Sequence, residues 1–166
     1  MNHARSRALL ATAVFALLAA IFTAAYAGAA GKGTQVKTAS TSLGKIVVNA
    51  KGHALYMFAS DKNGKSTCYG SCAHYWPPLT TTGKPVAGTG AEASLLGTTK
   101  RTNGTLQVTY KGHPLYLYVG DSQAGQTSGQ GLNLSGGLWW VLSPTGAVIK
   151  KTASGGSGGG GGGNYP

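Results

Sequence analysis

The densest group of chemically capable side chains lies in CYGSCAHYWPPL, residues 68–79. Cys68 and Cys72 are the only cysteines in the chain. Two thiols at this spacing, with His74 close by, offer two chemistries. In an exported chain an even pair favours a disulfide. It would close a very small loop and contribute about 2 kcal/mol at most. As thiolates, Cys68 and Cys72 would instead suit zinc or copper together with the His74 imidazole, although no fourth ligand is visible. A c-type haem attachment is disfavoured, because Ala73 separates Cys72 from His74.

A second set, His53, Tyr56 and Asp61, recurs as His113, Tyr116 and Asp121. These residue types would serve a metal- or haem-handling or redox protein. The spacing argues against one ligand set, since residues three apart on a strand point to opposite faces. The only acids are Asp61, Glu92 and Asp121, too few for a calcium cage of six or more oxygens. The structural reading makes His53 and His113 exposed residues beside the turn glycines Gly52 and Gly112. It makes Asp61 and Asp121 caps that accept backbone N–H bonds where the chain leaves a strand. Such bonds would hold a carboxylate below its ordinary pKa of about 3.9. There is no Gly-x-Ser-x-Gly, no paired carboxylates at one locus, no phosphate loop and no HExxH. The expectation is a protein that is not an enzyme, with no catalytic residues and no cofactor.

The elements that must position these residues come from an internal duplication. GKIVVNAKGHALYMFASD, residues 44–61, aligns without a gap on GTLQVTYKGHPLYLYVGD, residues 104–121, with eight of eighteen positions identical. Each copy reads as a β-hairpin. Val and Ile precede a Lys-Gly turn, and Tyr, Leu and aromatic residues alternate after it. Leu55 and Met57 face one way and Tyr56 and Phe58 the other, and both faces are apolar enough to require cover. At an offset of 63, Trp76 aligns with Trp139, Leu79 with Leu142 and Gly83 with Gly146. Each repeat is therefore a hairpin, a variable loop, a Trp-led strand, and a Gly turn with a short final strand. The variable loop holds the Cys pair in repeat one and a Gly/Gln/Ser run in repeat two. The tryptophans read as core anchors.

Residues 1–27 read as a signal peptide: Arg5 and Arg7, an apolar run from Ala8 to Ala24, and Ala25-Tyr26-Ala27 at the cleavage site. No transmembrane span is expected after cleavage. Loss of Arg5 and Arg7 lowers the formal charge of +11 by two, to +9. A basic exported protein is attracted to anionic envelope polymers or glycans, and nucleic acid is not an expected partner. Residues 28–42 read as a flexible lead-in, 43–100 as repeat one and 101–151 as repeat two. Ala91–Gly97 reads as one short helical turn between them. Residues 152–166, TASGGSGGGGGGNYP, read as a disordered Gly-rich tail.

Tyr56-x-Phe58-x-x-Asp61, repeated as Tyr116-x-Tyr118-x-x-Asp121, resembles the motif of the bacterial secreted repeat of unknown function family. SLLGTTKR (94–101), Gly129-Gln130-Gly131 and WWVLSPTG (139–146) carry the resemblance further. Its members are predicted lipoproteins and exported proteins. This chain has no cysteine near the cleavage site to carry a lipid. The resemblance implies an exported protein built of repeats, and implies no chemistry. The expected fold is all-β: two tandem pseudo-symmetric antiparallel repeats on a shared core, about four strands each. The expected role is a binding or structural module, secreted to the extracellular space or periplasm.

Overall fold

The computed structural model describes residues 33–151. The expected signal peptide and Gly-rich tail lie outside the described residues. The described chain is almost entirely β. Its strands are β1 (Gln35–Thr41), β2 (Gly44–Asn49), β3 (Tyr56–Phe58), β4 (Thr80–Thr81), β5 (Val86–Ala87), β6 (Leu96–Lys100), β7 (Leu106–Tyr110), β8 (His113–Pro114), β9 (Asn133–Leu134) and β10 (Gly137–Val141). A five-residue helix, α1 (Ser71–Tyr75), and a 3-10 turn at Ala93–Leu95 interrupt them. Among the described residues no helix is long and apolar enough to cross a membrane.

The lead-in is partly wrong as expected. Residues 35–41 are β1, paired antiparallel with the whole of β2. Backbone ladder bonds and the burial of Val36 hold it, so its low apolar content is no obstacle. Its counterpart is β6, which pairs antiparallel with β7. Each repeat thus gains a strand ahead of the expected starts at 43 and 101, which raises the strand number above eight.

The two Lys-Gly turns are built differently. Lys111 and Gly112 both have positive φ, 48° and 80°. That is the signature of a two-residue primed turn, here joining β7 to β8. In repeat one only Gly52 is left-handed, φ 88°. Its N–H closes onto the Asn49 carbonyl at 3.0 Å, and Asn49 Oδ1 accepts from Lys51 and His53 N–H. The loop is therefore one residue longer.

The decisive feature of the topology is exchange between repeats. β3 of repeat one pairs with β10 of repeat two, Phe58 opposite Trp139 and Tyr56 opposite Val141. The mirror contact joins residues 115–119 to 75–79: Leu117 N–H donates to the Pro77 carbonyl and Leu79 N–H to the Leu115 carbonyl. Pro77 and Pro78 have no N–H to give, so this second ladder is reduced to a bridge at Pro78 and Tyr116. Between the two ladders Tyr56 and Tyr116 exchange backbone bonds with each other, 2.9 Å in each direction. This reciprocal pair marks the pseudo-twofold axis.

The buried residues form two clusters, and both repeats supply each. One holds Tyr56, Phe58, Trp76, Tyr116 and Trp139. The other holds Leu55, Met57, Leu79, Leu115 and Leu142. Leu55 and Leu115 thus sit apart from Trp76 and Trp139, because adjacent strand residues face opposite ways. Leu55 through Phe58 are all buried, so both faces of β3 are covered.

Candidate functional site

The repeated Tyr and Asp meet, but each with its counterpart in the other repeat. Tyr56 hydroxyl donates to Asp121 Oδ2 at 2.6 Å. Tyr116 hydroxyl donates to Asp61 Oδ2 at 2.7 Å. The remaining oxygens cap the loops that follow. Asp61 Oδ1 accepts from the Thr67 N–H and hydroxyl, and Asp121 Oδ1 accepts from the Ser128 N–H. The capping role read from sequence is present, with a Tyr from the other repeat added to it. Burial raises the Asp61 pKa, against the opposing pull of bonds from Tyr116 and Thr67 and the field of Arg101. The expected lowering is therefore reversed: desolvation of a carboxylate drawn into the core outweighs its donors. Burial, and then the neighbouring carboxylate, also pushes the Tyr56 phenol far up. Burial does the same to Tyr116, with Asp61 adding to it. Both phenols are thereby held protonated, which suits them as hydrogen-bond donors.

Around these pairs runs a four-ring stack. Phe58 lies on Trp139 at 4.1 Å, Trp139 on Trp76 at 3.9 Å, and Trp76 on Tyr118 at 4.3 Å. The pseudo-axis passes between the two indoles. Tyr56 stands edge-on to Trp76 and Tyr116 edge-on to Trp139. A Cβ at Gly129 would lie 2.8 Å from the Trp76 ring and 2.9 Å from that of Tyr56. Only glycine lets the chain come close enough for its N–H to reach the Tyr56 hydroxyl at 3.2 Å.

Cys68 and Cys72 form a disulfide. With each sulfur bonded to the other, their use with His74 as metal ligands does not arise in this structure, and His74 is exposed. No group of three or more His, Cys, Asp or Glu side chains among the described residues is placed to hold a metal ion. The disulfide loop is tied to Arg101, a residue that no pattern in the sequence marks beyond its place beside Lys100. Arg101 is only 5% exposed. Its guanidinium donates to the Cys68 carbonyl at 2.6 Å, Gln107 Oε1 at 2.6 Å and Ser66 Oγ at 2.8 Å. It also lies over the Tyr69 ring at 4.3 Å. Ser66 in turn is 2.8 Å from the Tyr116 hydroxyl. A buried cation and the Asp61 carboxylate are thus joined through two hydroxyls. Arg101 has no cationic counterpart in the Asp121 half, where the ladder registers put Ser40 at its place.

The histidines also cross over. His53 Nδ1 is 3.3 Å from the Asp121 carbonyl. His113 is held below its ordinary pKa by burial and by Lys111, with Asp61 opposing. Both histidines are half-buried, not exposed as expected, because the loops after Asp121 and Asp61 fold back over the turns. Gly125 N–H bonds to the Gly52 carbonyl at 3.1 Å. Beside His53 opens a cleft of about 290 Å³. Asn49, Lys51 and His53 form its polar side, with Asp121 at the end of the opposite strand. Pro77, Leu117, Tyr118 and Val119 form its apolar side.

A search of curated proteins and a search of solved structures each returned no significant match. A family model matches twice, at residues 37–80 and 97–143. The two matches begin sixty positions apart, the spacing of the duplication, and open within β1 and β6. Together they cover more than half of the chain, which belongs to the family described as secreted repeat of unknown function.

Proposed function

We propose that this exported protein is a non-catalytic binding module that attaches to anionic polymers of the cell envelope. One observation carries the reading: the fold draws its carboxylates inward and leaves its amines outside. Asp121 is buried and Asp61 half-buried, each spent on a Tyr and a loop N–H. Glu92 is the one exposed carboxylate among the described residues. Every lysine there except the half-buried Lys37 is exposed. The surface is therefore more cationic than the composition alone suggests, and such a field attracts polyanions.

The motif residues support the non-catalytic half of this reading. A general base must be able to reach a substrate proton. The Tyr and Asp of the motif are committed to internal bonds, and both tyrosines are fully buried.

The test is retention of the mature chain on immobilised polyuronate and on polyphosphate, with a neutral glucan as control. Binding to the anionic matrices, weakening steeply with added salt, is the expected outcome. Equal retention on the neutral glucan, or none on either polyanion at low salt, would overturn the reading.

A further inference from the structure

The cleft beside His53 lies on one half of a molecule whose two halves share a scaffold, and several of the residues that line it differ from their counterparts. Pro77 stands where the other half carries Trp140: Pro77 bonds through its carbonyl to Leu117, and Trp140 pairs with Met57. Val119 stands where the other half carries Ala59, and Asn49 where it carries Thr109. Trp140 packs against the leucine cluster, and Pro77 is the smaller side chain at the matching place. Val119 is 54% exposed, an apolar side chain held at the cleft without cover.

We propose that this cleft binds one or two units of an acidic sugar, a uronic acid or a similar carboxylated pyranose. This rests on the envelope-polymer reading and names the unit recognised. Lys51, exposed on its turn, supplies the cation for the carboxylate. Asn49 and His53 supply neighbouring polar groups for ring hydroxyls. The apolar face of the ring lies against Pro77, Leu117 and Val119. The volume is at the lower end for a small-molecule site, about 300 Å³ and upward, so the ligand is a short unit and not a large cofactor. Charged hydrogen bonds supply orientation, and the apolar wall supplies area.

The experiment is an NMR titration of the mature full chain with a galacturonate trisaccharide, using maltotriose and tripolyphosphate as comparisons. The expected result is saturable shifts confined to amides of 49–53 and 117–121 with the acidic trisaccharide, and none there with maltotriose. Lys51→Gln should weaken binding about ten- to a hundredfold. Pro77→Trp should abolish it while the protein stays folded, since the other half carries Trp at that place. Lys62→Gln, outside the cleft, should leave trisaccharide binding unchanged. Shifts spread over the lysines of both halves, equal shifts with tripolyphosphate, or undiminished binding by Pro77→Trp and Lys51→Gln would overturn the cleft proposal. Retention on polyanion columns is read separately, so a general cationic surface can stand while the cleft assignment fails. If columns retain nothing and the trisaccharide still binds, the envelope reading fails instead.

Discussion

Trp76 and Trp139 lie face to face, 3.9 Å apart and within 1° of parallel, although each is anchored in a different repeat. Their indole nitrogens are treated differently. Trp139 Nε1 donates to the Leu134 carbonyl at 3.0 Å. Trp76 Nε1 is buried with no partner. Trp→Ala at either position should cost roughly 3–5 kcal/mol, the range for a large buried aromatic. Trp76→Phe should cost less than Trp139→Phe, by about 1 kcal/mol, because it removes an unpaired donor and breaks no bond. Urea unfolding of the two Phe variants checks the order. Equal losses would show that the Trp76 nitrogen is satisfied in solution.

The crossed Tyr–Asp bonds should behave as coupled pairs, Tyr56 with Asp121 and Tyr116 with Asp61. Tyr56→Phe leaves a carboxylate oxygen in the core without its donor and should cost roughly 1–3 kcal/mol. Asp121→Ala should cost more than Asp121→Asn, since Asn keeps an acceptor for the Ser128 N–H. A double-mutant cycle on Tyr56 and Asp121 should give a coupling of about 0.5–3 kcal/mol. The same cycle on Tyr56 and Asp61 should give close to zero. Coupling within a repeat in place of coupling between repeats would contradict the crossed arrangement.

High pH should unfold the protein through its tyrosines. Burial raises Tyr56 and Tyr116 above the ordinary tyrosine range. In the unfolded chain each ionises near about 10. Above that value the unfolded state has lost a proton that the folded state keeps, so stability falls as pH rises. The contribution is complete below about pH 10 and lost progressively above it. Tyrosinate absorbance should show a late fraction that ionises together with loss of the near-UV signal. Ionisation of every tyrosine near pH 10 with that signal intact would refute the burial argument.

The disulfide loop and Arg101 form one structural unit. Reduction, or Cys68→Ser with Cys72→Ser, should lower stability by about 2 kcal/mol, as suits so short a loop. Arg101→Met leaves the Cys68 carbonyl and Gln107 Oε1 without a donor and should cost roughly 1–3 kcal/mol for each acceptor left unpaired. Mass spectrometry of the unreduced chain should show two hydrogens missing. Free thiols in the exported protein would remove the disulfide from the account.

Local pattern made several elements readable. Valine and aromatic runs around Lys111-Gly112 point to a hairpin, and of the two positive φ angles there Gly112 accepts its own freely while Lys111 is held in its by the turn. Cys68 and Cys72 were readable as a disulfide from their number and spacing. Strand β1 was not readable, because Gln35–Thr41 has little apolar content and is held by a ladder to β2. Arg101 was not readable either: three of its bonds go to residues up to 35 positions away, and no local pattern marks a buried guanidinium.

The sequence by itself determined that the chain is duplicated and β-rich, and that Tyr56, Asp61, Tyr116 and Asp121 recur as a set. Those are properties of residue order, and residue order is what periodicity and self-alignment measure. Which Tyr would meet which Asp was decided only by the tertiary structure. A repeat that pairs its own strands and one that lends them to its twin have the same hydrophobic pattern, because each strand buries the same faces either way. The exchange of β3 and β10 selects the second arrangement, carries Tyr56 to Asp121, and withdraws the acids from a surface left to lysine. The cleft follows from the same cause, since Leu117, Tyr118 and Val119 of repeat two line it beside Asn49, Lys51, His53 and Pro77 of repeat one.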